Sequence, residues 1–184
     1  MNELSLHILD ICQNSIKANA TLIEIIVEED TISNLFSIVI HDNGHGMSKT
    51  TLTQVADPFY TTRTTRKVGL GLSLFQLAAE QCNGSLVIES EEGHGTHVVA
   101  TFEHDHIDRA PLGRIEDTLT ILILNEAGID ILYQHSYNNN RYVFDTRDIR
   151  EVLGDIPLND PEVLQWIKQH IKQGTTTIYK EETT

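Results

Sequence analysis

Hydrophobic and polar positions alternate with two periods along this chain. In "HILDICQNSIKANA", His7 to Ala20, the residues Ile8, Ile11, Cys12 and Ile16 form an apolar stripe with helical spacing. The pattern predicts a helix from about Ser5 to Ala18, with Ser5 as a candidate N-cap. "TLIEIIVEE" (Thr21 to Glu29) and "LFSIVIHDN" (Leu35 to Asn43) read as two strands joined by a polar turn. "SKTTLTQVAD" is a short helix with Ser48 as its cap, and Leu72 to Cys82 is a second one, closed by Asn83-Gly84. Ser85 to Phe102 reads as a hairpin around Gly93-His94-Gly95.

The polar stretch Glu103 to Gly113, with Pro111 and Gly113, reads as a linker. Beyond it, "TLTILIL" (Thr118 to Leu124) is expected to be a strand, and "IDILYQHSY" and "RYVFD" a hairpin around Asn138-Asn139-Asn140. Thr146 is expected to cap a helix to Gly154, and Asp160 to cap another, with Pro161 at its first position. The tail from Thr175 is expected to fray, and the aromatics Tyr133, Tyr137, Tyr142, Phe144 and Trp166 to form a core. The order of elements describes an α+β sandwich, a mixed sheet with helices on one face, over residues 1–105. A small α+β unit of unread chemistry, suited to interaction or dimerisation, follows at 106–184.

Composition narrows the class. The chain has 184 residues, 40% of them hydrophobic and 22% charged, as in an ordinary globular protein. No apolar run is long enough to span a bilayer, and the N-terminus lacks a basic signal region, so a cytoplasmic protein with no membrane role is expected. The net charge of −14 opposes binding to phosphate backbones, so no nucleic-acid partner is expected. Cys12 and Cys82 lie far apart in helical segments and read as buried thiols. His104 and His106 lie near Asp105 and Asp108, but a solvated linker is the better reading than a metal site.

Candidate chemistry starts on the first helix. At about 100° per residue, Asp10, Asn14 and Lys17 share an arc of about 60° opposite the apolar stripe. Taken alone they describe a solvated face. As a functional column, Asn14 would offer an amide oxygen to Mg²⁺, Lys17 would meet a phosphate, and Asp10 would take a proton from an attacking water. Two glycine motifs favour the functional reading. "HDNGHGM" places Asp42 at a strand end before Gly44, Gly46 and Met47, where bare backbone lets a flat ligand come close and a carboxylate can accept from an adenine amine. "VGLGLSL" places Gly69, Leu70, Gly71 and Leu72 at a helix start, a place that favours phosphate. Arg63, Arg66 and Lys67 in the preceding loop suit a lid over a triphosphate.

The segments "LDICQNSIKANA", "HDNGHGM", "DPFYTTR" and "GLGLSLFQLAAEQCNGSLVIESEEGHGTHVVATF" resemble, in order, the N, G1, F, G2 and G3 boxes of the GHKL ATPase superfamily. That superfamily has the Bergerat fold. From Pro58 onward the similarity is to the ATP-binding domain of histidine kinases, whereas "DICQNSIKANATLIEI" is closer to the mismatch-repair and gyrase style. The resemblance implies ATP and Mg²⁺ as cofactors, with Asn14 as metal ligand and Asp10 as base, one methylene shorter than the Glu usual there. It implies Lys17, Gly69 and Gly71 on the phosphates, Asp42 with Gly46 and Thr96 near the adenine, and Tyr60 to Lys67 as the lid.

Two departures qualify it. The sequence given leaves no room before the first helix for a helix pair with a phosphoacceptor histidine, so an acceptor is expected on another chain. The strand that usually precedes the N box is also missing, so the sheet is expected to lack an edge or borrow one. Three uses of ATP remain open: transfer to a protein partner, slow hydrolysis, or nucleotide sensing in which lid closure switches a partner. A protein partner is expected, and pairing with a second copy of the chain is open.

Overall fold

The protein is described by a computed structural model over residues 3–56, 71–125 and 128–180. Its elements are α1 (Leu4–Lys17), β1 (Leu22–Asp30), β2 (Leu35–Asp42), α2 (Lys49–Ala56), α3 (Gly71–Gln81), β3 (Ser85–Glu91), β4 (Gly95–Glu103), α4 (Ile115–Asn125), β5 (Asp130–Tyr137), β6 (Asn140–Asp145), α5 (Thr146–Leu153) and α6 (Pro161–Thr177). Among the described residues the strands form one mixed sheet in the order β3-β4-β2-β1-β5-β6. All neighbours are antiparallel except β1 and β5, which run parallel. This is the α+β architecture expected of a Bergerat domain. Alternate residues of β1, β2, β4 and β5 face the helices: Ile23, Ile25 and Val27, then Phe36, Ile38 and Ile40, then Val98, Ala100 and Phe102, then Ile131 and Tyr133, all buried. Against them α1 packs between α3 and α4, and α4 contacts α6.

The place beside β1 is filled by β5, from far along the chain. The expected missing edge is thus supplied from the C-terminal segment, and strands from both sides of residue 105 share one sheet. The stretch Thr118 to Leu124 is helical, not a strand. Its β-branched residues favour a strand locally. Ile115, Leu119, Leu122 and Ile123 are nonetheless buried at helical spacing, where α1 and α6 cover them. The Thr118 hydroxyl also donates to the carbonyl of Ser5 at 3.1 Å.

Capping differs from expectation in two places. Ser5 lies inside α1, whose N-cap is Glu3. The first amides of α1, Leu4 N and Ser5 N, donate to the carbonyls of Pro111 and Leu112 at 2.9 and 2.8 Å. The stretch read as a linker therefore caps this helix from a distance. Asp145, not Thr146, caps α5, accepting from Arg147 N, while the Thr146 hydroxyl accepts from Ile131 N at 2.9 Å and ties α5 to the sheet. Ser48 and Asp160 cap as expected.

The expected frayed tail is folded up to Lys180. Thr175 to Thr177 complete α6, Ile178 is buried, and the Tyr179 hydroxyl donates to Glu29. Glu29 is itself buried at the end of β1. His135 Nε2 lies 2.9 Å from its Oε1 and His104 Nε2 lies 2.9 Å from its Oε2. Burial alone would raise the carboxyl of Glu29, but the bonds from His135, Tyr179 and His104 pull it down to about 2. One carboxylate thus joins β1, β5, the segment after β4 and the chain's last described turn. His104 is occupied here rather than with His106, and no metal cluster of His, Cys, Asp and Glu is found among the described residues. Of the aromatics, Tyr133 and Phe144 are buried, whereas Trp166 is half exposed and stacks on His170.

Candidate functional site

Four separate stretches of sequence meet at one cavity of about 580 Å³. Helix α1 contributes Ile11, Asn14, Ser15 and Lys17, with Ala18 at its C-cap, and the end of β2 contributes Asp42. His45, Gly46 and Met47 come from the following turn, Thr51 and Val55 from α2, Leu72 from α3, and Thr96 and Val98 from β4. The mostly apolar wall with a few polar groups suits a small-molecule pocket. Asn14, half-buried, and Lys17, exposed, both border this cavity, so that part of the column adjoins a pocket while Lys17 keeps its contact with solvent.

Asp42 is held from two sides. Its Oδ2 accepts from the Ser15 hydroxyl at 2.6 Å, and its Oδ1 accepts from Gly44 N at 2.9 Å. It is buried, and the β2–β4 register places it directly opposite Thr96. Each carboxylate oxygen has a second lone pair, so Asp42 keeps acceptor capacity toward the cavity. Ser15 was not among the residues expected here, although it directly follows Asn14. The available signal was its place on the apolar side of the helix, four residues after Ile11.

The glycines act in different ways. Gly46 has φ +66° and Gly95 has φ +89°. A Cβ on Gly46 would collide with the carbonyl of Glu91, and one on Gly95 with the carbonyl of Asp42. These two glycines let the turn after β2 pack on the end of β3 and the start of β4 pack on the end of β2, backed by Met47 N donating to the Ser90 hydroxyl at 2.9 Å. Gly44 packs on Ala18, the C-cap of α1, where His45 N donates to the Ala18 carbonyl at 2.9 Å. The close approach expected of Gly44 is thus to a helix end, which fixes the strand end against α1.

Asp10 and Gly71 lie outside the lining of that cavity but against each other. A Cβ on Gly71 would sit 3.2 Å from Asp10 Oδ2. One turn away on each helix, His7 stacks on Phe75 with ring centroids 4.9 Å apart and planes at 12°. Burial lowers the basicity of His7, so the stack is between neutral rings. This packing sets the N-terminus of α3 beside a carboxylate, a favourable place for negative charge. Cys12 is fully buried, and burial, with the Asp42 charge nearby, pushes its thiol far up, so it stays protonated.

Of the expected site residues, Asn14, Lys17, Asp42, Gly46, Met47, Leu72 and Thr96 line the cavity, with Gly44, Gly71 and Asp10 around it. Arg63, Arg66, Lys67, Gly69 and Leu70 lie outside the described residues. Among the described residues no helix is long and apolar enough to cross a membrane.

Residues 2–106 match the model of the family of histidine kinase-, DNA gyrase B- and HSP90-like ATPases. A sensor protein of Shewanella frigidimarina is 35% identical over 97 residues, covering 52% of this chain and 15% of that protein. Sporulation kinase E of Bacillus subtilis is 42% identical over 59 residues, which are 32% of this chain and 8% of that protein. Sensor protein DegM of a Bacillus strain is 29% identical over 98 residues, 53% of this chain and 26% of that protein. The chain thus spans only a small part of these curated relatives. In structure it resembles the N-terminal domain of a DNA repair protein, with a TM-score of 0.55 and 20% identity over 84% of this chain and 58% of that one, a likeness of fold. The chain belongs to the family of histidine kinase-, DNA gyrase B- and HSP90-like ATPases, and its first half is a histidine-kinase-like ATP-binding domain.

Proposed function

We propose that the cavity binds Mg-ATP and that the chain moves the γ-phosphate, to a protein partner or to water. The observation that carries this reading is the contact between Asp10 and Gly71. It sets a carboxylate beside the helix start where the phosphates of a nucleotide held by Asp42 would end.

In this reading Asp42, fixed by Ser15 and Gly44, accepts from the exocyclic amine of adenine, with Gly46, Met47 and Thr96 around the base. The apolar walls, Ile11, Val55, Leu72 and Val98, exclude water from the ring faces. Lys17 neutralises phosphate, and the first amides of α3 donate to it. The Asn14 amide oxygen would hold Mg²⁺, which supplies charge neutralisation across the phosphates. One amide oxygen as protein ligand fits an ion that takes few protein ligands and completes its shell with phosphate and water. Asp10 takes the proton from the attacking hydroxyl, imidazole or water. Relatives named as sensor proteins and sporulation kinases favour a protein acceptor, and a cytoplasmic setting fits an ATP-dependent step.

One observation favours a second reading, an ATP-sensing module with little turnover. Asp10 packs against the start of α3, so its carboxylate also has a structural role as partner of the helix dipole. Incubation with γ-labelled ATP and Mg²⁺, with and without cell extract, separates the two. Label on free phosphate or on a protein, lost in Asp10→Asn with ATP affinity kept, supports the catalytic reading. ATP binding with no label transferred supports the sensing one.

A further inference from the structure

The sheet face turned away from the helices carries a row of side chains that the nucleotide reading leaves unused. The cross-strand register sets Glu89, His97, His41 and Glu24 side by side on β3, β4, β2 and β1. Directly opposed residues project from the same face, with Cβ atoms about 4.5–5.5 Å apart. Asp42 and Val98, the next residues along, are buried toward the helices, whereas His41 and His97 are only partly buried and Glu89 is exposed. The two imidazoles have ring centroids 5.7 Å apart and planes at 61°. His41 Nδ1 is shielded from water and has no hydrogen-bond partner.

We propose that His41 and His97 form a binding site for a divalent transition-metal ion of the zinc, nickel or copper class. Imidazole selects these ions over magnesium and calcium. Two imidazoles bound to one ion at about 2.0–2.1 Å place their ring centroids about 5–5.5 Å apart, close to the spacing found. A metal ion is also a partner that the shielded nitrogen otherwise lacks. Glu24 and Glu89 flank the pair; Arg147 lies within electrostatic reach of Glu24, so the uncompensated negative charge beside the imidazoles is that of Glu89. Beyond Glu24 the row continues through Leu132 to Asp145, which is paired with Arg147 at 2.7 Å; the residues of the row itself include no lysine or arginine. As the side chains stand, no three of His, Cys, Asp and Glu among the described residues gather around one point. The site therefore rests on the two imidazoles, with water or a carboxylate swung in to complete the shell. It lies on the opposite side of the sheet from the nucleotide cavity and does not depend on that assignment.

Calorimetric titration of Zn²⁺, and separately Ni²⁺, into the untagged full chain without nucleotide tests this. One equivalent is expected to bind in the micromolar range and to raise the thermal midpoint. His41→Ala and His97→Ala are each expected to weaken binding by about tenfold or more and to remove the thermal shift, with metal-free unfolding little changed. His97→Gln, which keeps the side-chain bulk, should behave as His97→Ala does. Undiminished binding in both alanine variants, or no saturable binding below millimolar concentration in the native chain, would overturn the proposal and leave a plain edge-to-face packing of two neutral rings.

Discussion

The Ser15 hydroxyl donates to Asp42 Oδ2 at 2.6 Å, linking a buried helix position to the end of β2 across the floor of the cavity. The bond fixes the direction in which Asp42 presents its remaining lone pairs. If Asp42 reads an exocyclic amine, Asp42→Asn should weaken ATP binding by about tenfold or more, since a charge-assisted acceptor becomes partly a donor. Ser15→Ala should weaken it only a few-fold, because Gly44 N still orients the carboxylate. Equilibrium binding of ATP and GTP to each variant checks this. Unchanged discrimination between the two nucleotides in Asp42→Asn would remove Asp42 from the base site.

Gly71→Ala probes the phosphate end. The added methyl would lie 3.0 Å from Asp10 Cβ, tighter than ordinary packing, so the carboxylate or the helix start must shift. Phosphate release or transfer should fall by about ten- to a hundredfold, with a smaller change in ATP affinity, if Asp10 acts as base. Single-turnover and binding measurements on the same variant separate the two effects.

Gly46→Ala and Gly95→Ala test the scaffold rather than the chemistry. Both positions have left-handed backbone, and both added methyls would strike a carbonyl. Each should cost about 2–4 kcal/mol, read as a lowered thermal midpoint, with nucleotide binding lost in proportion.

Glu29→Gln should destabilise the fold by about 2 kcal/mol at neutral pH, because a buried charged acceptor of three hydrogen bonds is lost. The sign with pH follows from the direction of the shift. A carboxyl lowered from 4.5 to about 2 in the folded state contributes its stability fully above 4.5 and loses it as pH falls toward 2. The difference in midpoint between native and Gln forms should therefore shrink from pH 5 to pH 2, as melting curves at stepped pH would show. A constant difference would mean that the carboxylate is not held by these partners.

Much of the candidate site was legible because its signals are local. The glycines around Asp42 and at the start of α3, and the helical spacing of Asn14 and Lys17, are written in runs of a few residues. Such spacing dictates turn geometry and the side of a helix without reference to the rest of the chain. The strands β1 to β4 and the cap at Asp160 were legible for the same reason.

The remainder depended on partners far along the chain. Thr118 to Leu124 has the local preference of a strand, but burial of Ile115, Leu119, Leu122 and Ile123 against α1 and α6 makes it a helix, because packing outweighs a propensity of a few tenths of a kcal/mol per residue. The start of α1 is capped by carbonyls of Pro111 and Leu112, which no window around Ser5 reveals. The parallel pairing of β5 with β1 is a matter of non-local register, and it alone brings His135 to Glu29. The contact of Asp10 with Gly71 and the meeting of His41 with His97 are of the same kind. Short-range spacing sets which face a residue takes, whereas the neighbour it meets there is set by burial and strand register over the whole chain.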